Sequence, residues 1–173
     1  MSPGAMINPK LKPEETGSLL NRRLRLKRAL SAAIASLLSL NTLQAGEAIT
    51  YTVQEDIEDV LFLLESEIIG RGLKIDNVSH VGAMLDRTAL DVGAKEKIFY
   101  RAEVYSFCSA TVSRQVMEIN PANLSYCPYT IFAYTTPDSM DTTTVGFDDF
   151  PENEMQLVED LLNGIVKDAL GID

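Results

Sequence analysis

Several residue types on which enzymes commonly depend are scarce in this chain of 173 residues. It has no tryptophan, a single histidine (His80) and two cysteines (Cys108 and Cys127). Any Ser-His-Asp or Cys-His site would have to use His80. The sequence has no Gly-x-Ser-x-Gly, His-Glu-x-x-His or Cys-x-x-Cys motif and no glycine-rich phosphate loop. We therefore interpret His80 as a surface or hydrogen-bonded residue and predict no catalytic residue.

The sequence also has no apolar run long enough to span a membrane. Residues 29–40 form an uncharged, mostly apolar run of 12 residues, whereas a membrane-spanning helix needs about 20. This run follows the basic stretch 22–28 and leads to small residues around Ala45, which is typical of a cleavable secretory signal. We expect a disordered extension (1–20), a signal peptide (21–45) and one domain (46–173). That domain is expected to be periplasmic or secreted, without a stable membrane span once the signal is removed.

The basic stretch leaves the export route open. Arg22, Arg23 and Lys27 fit the twin-arginine signal, but Arg25 stands where that signal usually has an apolar residue. General secretion is the alternative, and cleavage after Ala45 or three residues later fits either route.

Basic residues are scarce after the signal. Residues 1–45 hold seven basic and two acidic side chains, which leaves eight basic against 23 acidic ones and a net charge of −15 for residues 46–173. Because a surface that negative repels phosphate backbones, we expect no nucleic-acid partner. A small ligand or a partner protein stays open, and the simplest interpretation is that the charge keeps the domain soluble.

Apolar periodicity predicts a mixture of strands and helices. Strands are predicted at 49–53, 73–81, 98–107, 129–135 and 142–147, and helices at 54–70, 83–90, 109–119 and from 149 to 170. A capping box from Thr52 to Glu55 is expected to open the first helix, and Asp149 the last. This order favours an α+β fold, a two-layer sandwich of an antiparallel sheet with helices on one face.

The predicted strand at 98–107 shows the clearest alternation of apolar and polar side chains. Ala102 and Val104 are predicted on one of its faces, with Arg101 and Glu103 on the other.

Aromatic residues cluster on the central strands of this outline. A curved sheet under helices can leave a pocket on its other side, and the rings that we predict for it are Tyr100, Tyr105, Phe107 and Tyr129. Core and cross-strand packing of the same rings is the alternative.

A stretch in the middle of the domain carries a family resemblance. The run 103–109 ends in a cysteine and leads into a helix that stops at Asn120-Pro121, and Cys127-Pro128 opens the next strand. This resembles the domain-of-unknown-function family 302, over most of residues 49–170. The resemblance implies a fold similar to that of the TATA-box-binding protein (strand, helix, four antiparallel strands, helix). It implies no established activity.

The two cysteines are the other candidate site. Cys108 ends one predicted strand and Cys127 begins the next, so the thiols come close if those strands pair. Exported proteins usually hold such a pair as a disulfide. Two buried free thiols, or a redox-active or ligand-binding pair, stay open, and Cys108 precedes a helix start, which lowers a thiol pKa.

The sequence predicts no cofactor. Heme with His80 or Cys108 as ligand stays open, as does a copper site that adds Met84 or Met117. A closed zinc site would need both cysteines, His80 and a carboxylate to converge.

Two functions follow from these observations. The leading hypothesis is an exported, non-enzymatic binding or accessory domain. The alternative is a thiol–disulfide redox or cofactor-binding protein that uses Cys108 and Cys127, in connection with sulfur metabolism.

Overall fold

The computed structural model describes residues 48–173, so the predicted extension and signal peptide lie outside the described residues. In chain order the elements are β1 (Ile49–Val53), α1 (Ile57–Gly70), β2 (Lys74–Ser79), α2 (Val81–Thr88), β3 (Arg101–Cys108), α3 (Ala110–Ile119), a 3-10 helix (Pro121–Tyr126), β4 (Tyr129–Thr135), β5 (Thr143–Phe147) and α4 (Gln156–Leu170). Within this part of the chain, no helix combines the length and the apolar character needed to cross a membrane.

The five strands form one antiparallel sheet in the order β1-β5-β4-β3-β2. Helices α1 and α4 pack against each other and against the sheet. Their apolar stripes meet alternate strand residues, and the largest fully buried side chains include Phe107, Tyr129, Phe147, Leu64 and Leu162. This confirms the predicted α+β fold, a two-layer sandwich with an antiparallel sheet.

The inward face of β3 differs from the prediction. Glu103, Tyr105 and Phe107 are buried toward the core, and Arg101 has the same parity on the strand. The two bulky aromatic side chains fix the inward face because they have the most apolar area to remove from water. The strand therefore turns two charged residues toward the helices.

Two helix starts also differ from the prediction. Helix α1 is capped by Asp56, whose carboxylate accepts from the Glu58 backbone N–H at 2.8 Å, whereas Thr52 lies in β1. Helix α4 begins at Gln156 and not at Asp149, because the chain first buries Phe150 and Met155 in an irregular segment.

Gly146 on β5 lies very close to the backbone of β1. A Cβ atom there would come within 2.6 Å of the Ile49 carbonyl oxygen on β1 and would also press on the ring of Phe132. The carbonyl belongs to a paired strand and has no room to retreat. A side chain at this position would separate β1 from β5.

We therefore expect Gly146→Ala to lower the free energy of unfolding by about 2 kcal/mol, the usual effect of overpacking. Gly70→Ala is the matched control, since nothing lies within 4 Å of the added Cβ atom. Denaturant unfolding of both variants checks this, and equal stabilities would contradict the assigned contact.

Candidate functional site

A cleft of about 360 Å³ lies between helix α1 and strands β2 and β3. It is lined by Glu58, Leu61, Phe62, Glu65, Val78, His80, Arg101, Glu103 and Tyr105. We call it the α1–β3 cleft. Three of its residues belong to the inward face of β3, so the cleft is the place where the core between sheet and helix opens to solvent.

Glu103 is the most deeply buried charged group of the cleft, with 6% of its surface exposed. Its Oε1 accepts a hydrogen bond from Arg101 Nε at 2.9 Å, with Arg101 Nη2 at 2.7 Å and His80 Nδ1 at 3.1 Å. A buried carboxylate without such partners would strongly destabilise the fold. Arg101 therefore neutralises Glu103 from two positions away on the same face.

The two oxygens of the Glu103 carboxylate differ in their partners. None of the hydrogen bonds within residues 48–173 reaches Oε2, although no fully buried side-chain oxygen in this part of the chain lacks a partner. Because Glu103 lines the cleft, its carboxylate can offer Oε2 as a hydrogen-bond acceptor to a molecule that enters.

Arg101 and His80 complete the charged floor of the cleft. The Arg101 guanidinium also pairs with Glu58 on α1 and so links helix and sheet. His80 stands at the rim, with 65% of its side chain exposed. It lies directly before α2, where the backbone of Gly82 packs so closely on β3 that a Cβ atom would come within 2.8 Å of the Ala102 nitrogen. That close approach brings His80 to Glu103.

Tyr105 marks the border between cleft and core. Its hydroxyl donates to the Leu61 carbonyl oxygen of α1 at 3.4 Å. Burial raises the pKa of Tyr105 to about 12, the carboxylates of Glu103 and Glu65 add to that increase, and Arg101 opposes it. The phenol therefore stays protonated beside a negative cleft.

The cleft carries more negative than positive charge. Its carboxylates belong to Glu58, Glu65 and Glu103, and its one permanent cation is Arg101. Its apolar wall is formed by Leu61, Phe62 and Val78. This combination of an apolar wall and a few converging polar groups is typical of small-molecule sites.

A larger depression lies elsewhere, lined by residues 85–98, with a volume of about 410 Å³. None of its lining residues is buried. Its only ion pair, between Lys97 and Asp86, is exposed to solvent and worth little in high dielectric. We therefore place the candidate site in the smaller α1–β3 cleft.

The family model described as "Domain of unknown function DUF302" matches residues 49–170. The chain belongs to this family. Among solved structures, the crystal structure of an uncharacterised conserved DUF302 protein from Bacillus stearothermophilus is similar, with a TM-score of 0.49 and 14% identity over 72% of this chain and 88% of that chain. No curated protein matches the sequence. DUF302 membership names no activity, so function has to be argued from the site.

The DUF302 chain holds its two cysteines away from the cleft. Cys108 and Cys127 form a disulfide with Cα atoms 6.6 Å apart. In the β2–β3 ladder, Lys74 faces Cys108 whereas Ser79 faces Val104. His80 and the cysteines therefore lie at opposite ends of β3. Among residues 48–173, no group of three or more His, Cys, Asp or Glu side chains is placed to hold a metal ion.

The four aromatic residues predicted for a pocket do not share one environment. Phe107 and Tyr129 are fully buried in the core and face each other across β3 and β4. Tyr100 is 52% exposed. Of the four, Tyr105 alone lines the α1–β3 cleft.

Sequence reasoning missed the Glu103–Arg101–His80 constellation. The sequence did contain an indication of it, because Arg101 and Glu103 occupy the same face of one strand as Tyr105 and Phe107. When charged residues share one face of an interior strand with aromatic residues, either the face is wrongly predicted or the charged residues form a buried ion pair.

The raised pKa of Tyr105 predicts how stability depends on pH. Since the pKa is about 12 in the folded chain and 10.0 ordinarily, the unfolded chain loses this proton first. The free energy of unfolding should therefore fall as pH rises from about 10 to about 12, and Tyr105→Phe should remove that part of the decline. Denaturant unfolding between about pH 10 and pH 12 measures this decline in both proteins. The reference is pH 8, at which the phenol is protonated in the folded and the unfolded chain. An unchanged slope in Tyr105→Phe would contradict the assigned environment.

Proposed function

We propose that this DUF302 chain is an exported domain that binds a small ligand in the α1–β3 cleft. The observation that carries the proposal is the Glu103 carboxylate, which is buried and ion-paired, lines the open cleft, and has an Oε2 atom that accepts no hydrogen bond within residues 48–173. A charged group held in place before a ligand arrives lowers the entropy lost on binding.

The wall opposite Glu103 supports binding of an organic molecule. Phe62 is 70% exposed, although a large apolar side chain is more stable when covered. It lies on the cleft side of α1 beside Leu61, while Val78 faces them from β2. A ligand that reaches both the carboxylate and Phe62 would cover the exposed ring.

The lining residues favour binding over catalysis. None of the described lining residues is a serine, threonine or cysteine. The one hydroxyl among them, that of Tyr105, donates to the Leu61 carbonyl oxygen, and its raised pKa keeps it protonated. His80 and Glu103 are held in contact, and here this pair fixes the shape and charge of the site.

Export remains part of the proposal. It rests on the basic stretch, the short apolar run and the small residues that end near Ala45. The disulfide between Cys108 and Cys127 agrees with a periplasmic or secreted location, because disulfides persist in oxidising compartments.

A thiol–disulfide role is the second candidate. Cys108 and Cys127 are both only partly buried, and Ser109, the residue after Cys108, caps helix α3. A helix start favours a thiolate. We rank this function second because the pair lies away from the cleft and its charged groups.

Binding in the cleft should depend on Phe62. We expect small aromatic fragments with cationic, neutral and anionic head groups to include binders that shift the NMR signals of Val78, His80 and Glu103. Phe62→Ser should weaken those binders roughly tenfold, since a covered ring is worth on the order of 1 to 1.5 kcal/mol.

Ile69→Ser is the matched control, because Ile69 is also exposed on α1 but does not line the cleft. It should bind the same fragments with unchanged affinity. Fragments that bind only at residues 85–98, or equal affinities in the two variants, would overturn the proposed site.

A further inference from the structure

The charges of the α1–β3 cleft indicate the chemical class of its ligand. We infer that the cleft takes an organic cation, a protonated amine or guanidinium that carries an apolar group. This inference rests on the proposed function and goes further, because a binding cleft could equally serve an anion or a neutral molecule.

Among the described residues that line the cleft, the only permanent cation is already engaged. Arg101 pairs with Glu58 on one side and with Glu103 on the other. An anionic ligand would have to draw Arg101 away from these two carboxylates and leave Glu103 buried without its partner. Such an unpaired buried charge is strongly unfavourable.

The acceptors of the cleft are still available. Glu103 and Glu65 both line the cleft; within residues 48–173, Glu103 Oε2 accepts no hydrogen bond and Glu65 forms no ion pair. An ammonium group brings three N–H donors and a guanidinium five, and neither has an acceptor. Charge-assisted hydrogen bonds to a carboxylate are roughly twice as strong as neutral ones.

The apolar wall selects an organic cation over a metal ion. Phe62, Leu61 and Val78 line the same cleft as the carboxylates, and an exposed aromatic face attracts a nearby cation. The carboxylates do not converge as a metal site would require, since residues 48–173 contain no suitable group of three ligands. The net charge of −15 on residues 46–173 would also steer cations toward the domain.

Three matched probes test the inference: 2-phenylethylamine, 2-phenylethanol and 3-phenylpropionate share a phenyl ring and differ in the charge of the head group. The protein is purified after expression of the full chain. Because His80 is the only histidine, its ring gives a single imidazole signal at the rim of the cleft, and calorimetric titration gives the affinity. We expect the amine to bind roughly tenfold more tightly than the alcohol, and the carboxylate to bind most weakly.

Two variants locate the effect. Glu65→Gln removes a carboxylate of the cleft and should weaken amine binding about threefold, as expected for a partly exposed ion pair. Asp59→Asn removes an exposed carboxylate of α1 that does not line the cleft, and should leave affinity unchanged. Equal effects of the two variants would overturn the inference in favour of a general charge effect.

The probes separate failure of this inference from failure of the proposed function. Tighter or equal binding of the alcohol or the carboxylate at His80 would overturn the cation class while leaving a binding cleft in place. No shift of the His80 signal with any probe would overturn the cation class too, and the fragment experiment with Phe62→Ser then decides the proposed function independently.

Discussion

The buried carboxylate of Glu103 is the constraint on which the rest of the structure depends. It lies on the inward face of β3, where neighbouring positions hold Tyr105 and Phe107. Because an isolated charge cannot be buried there, Arg101 must occupy the same face two residues earlier. These two charged side chains stand where apolar ones would pack on α1, and α1 meets the strand there through the Arg101–Glu58 ion pair. The cleft is thus a consequence of the ion pair.

Beyond Tyr105 the same strand continues as an ordinary core strand. Phe107 faces Tyr129 on β4 in the sheet register, and both rings are fully buried. Their burial removes a large apolar area from water, and this stabilises the core at that end of β3. The disulfide at Cys108 lies at that end. β3 therefore runs from an open, charged end at Arg101 to a buried, apolar end at Phe107. The proposed binding site at the open end could vary its contacts without disturbing that core.

Much of this fold could be predicted from the sequence, whereas the site could not. Alternating β-branched and aromatic residues located all five strands, and the run around Cys108 indicated the family. The prediction of which face of β3 is buried was wrong, because charged residues are normally assigned to the solvent side. Here Arg101 and Glu103 can be buried because they form an ion pair with each other. His80 comes near Glu103 only through the close packing of Gly82 on β3. No short-range pattern encodes that contact, so a lone histidine gave no signal.

The central claim is that Arg101 and Glu103 form a coupled, buried pair, and a double-mutant cycle on unfolding free energy tests it most directly. Arg101→Met alone should destabilise by about 3 kcal/mol, because it leaves a buried charge unpaired. Adding Glu103→Gln removes that charge, so the double variant should be more stable than the sum of the two single effects predicts, with a coupling of about 2 kcal/mol. Additive effects would show that the two side chains do not depend on each other, and would contradict this account of the cleft.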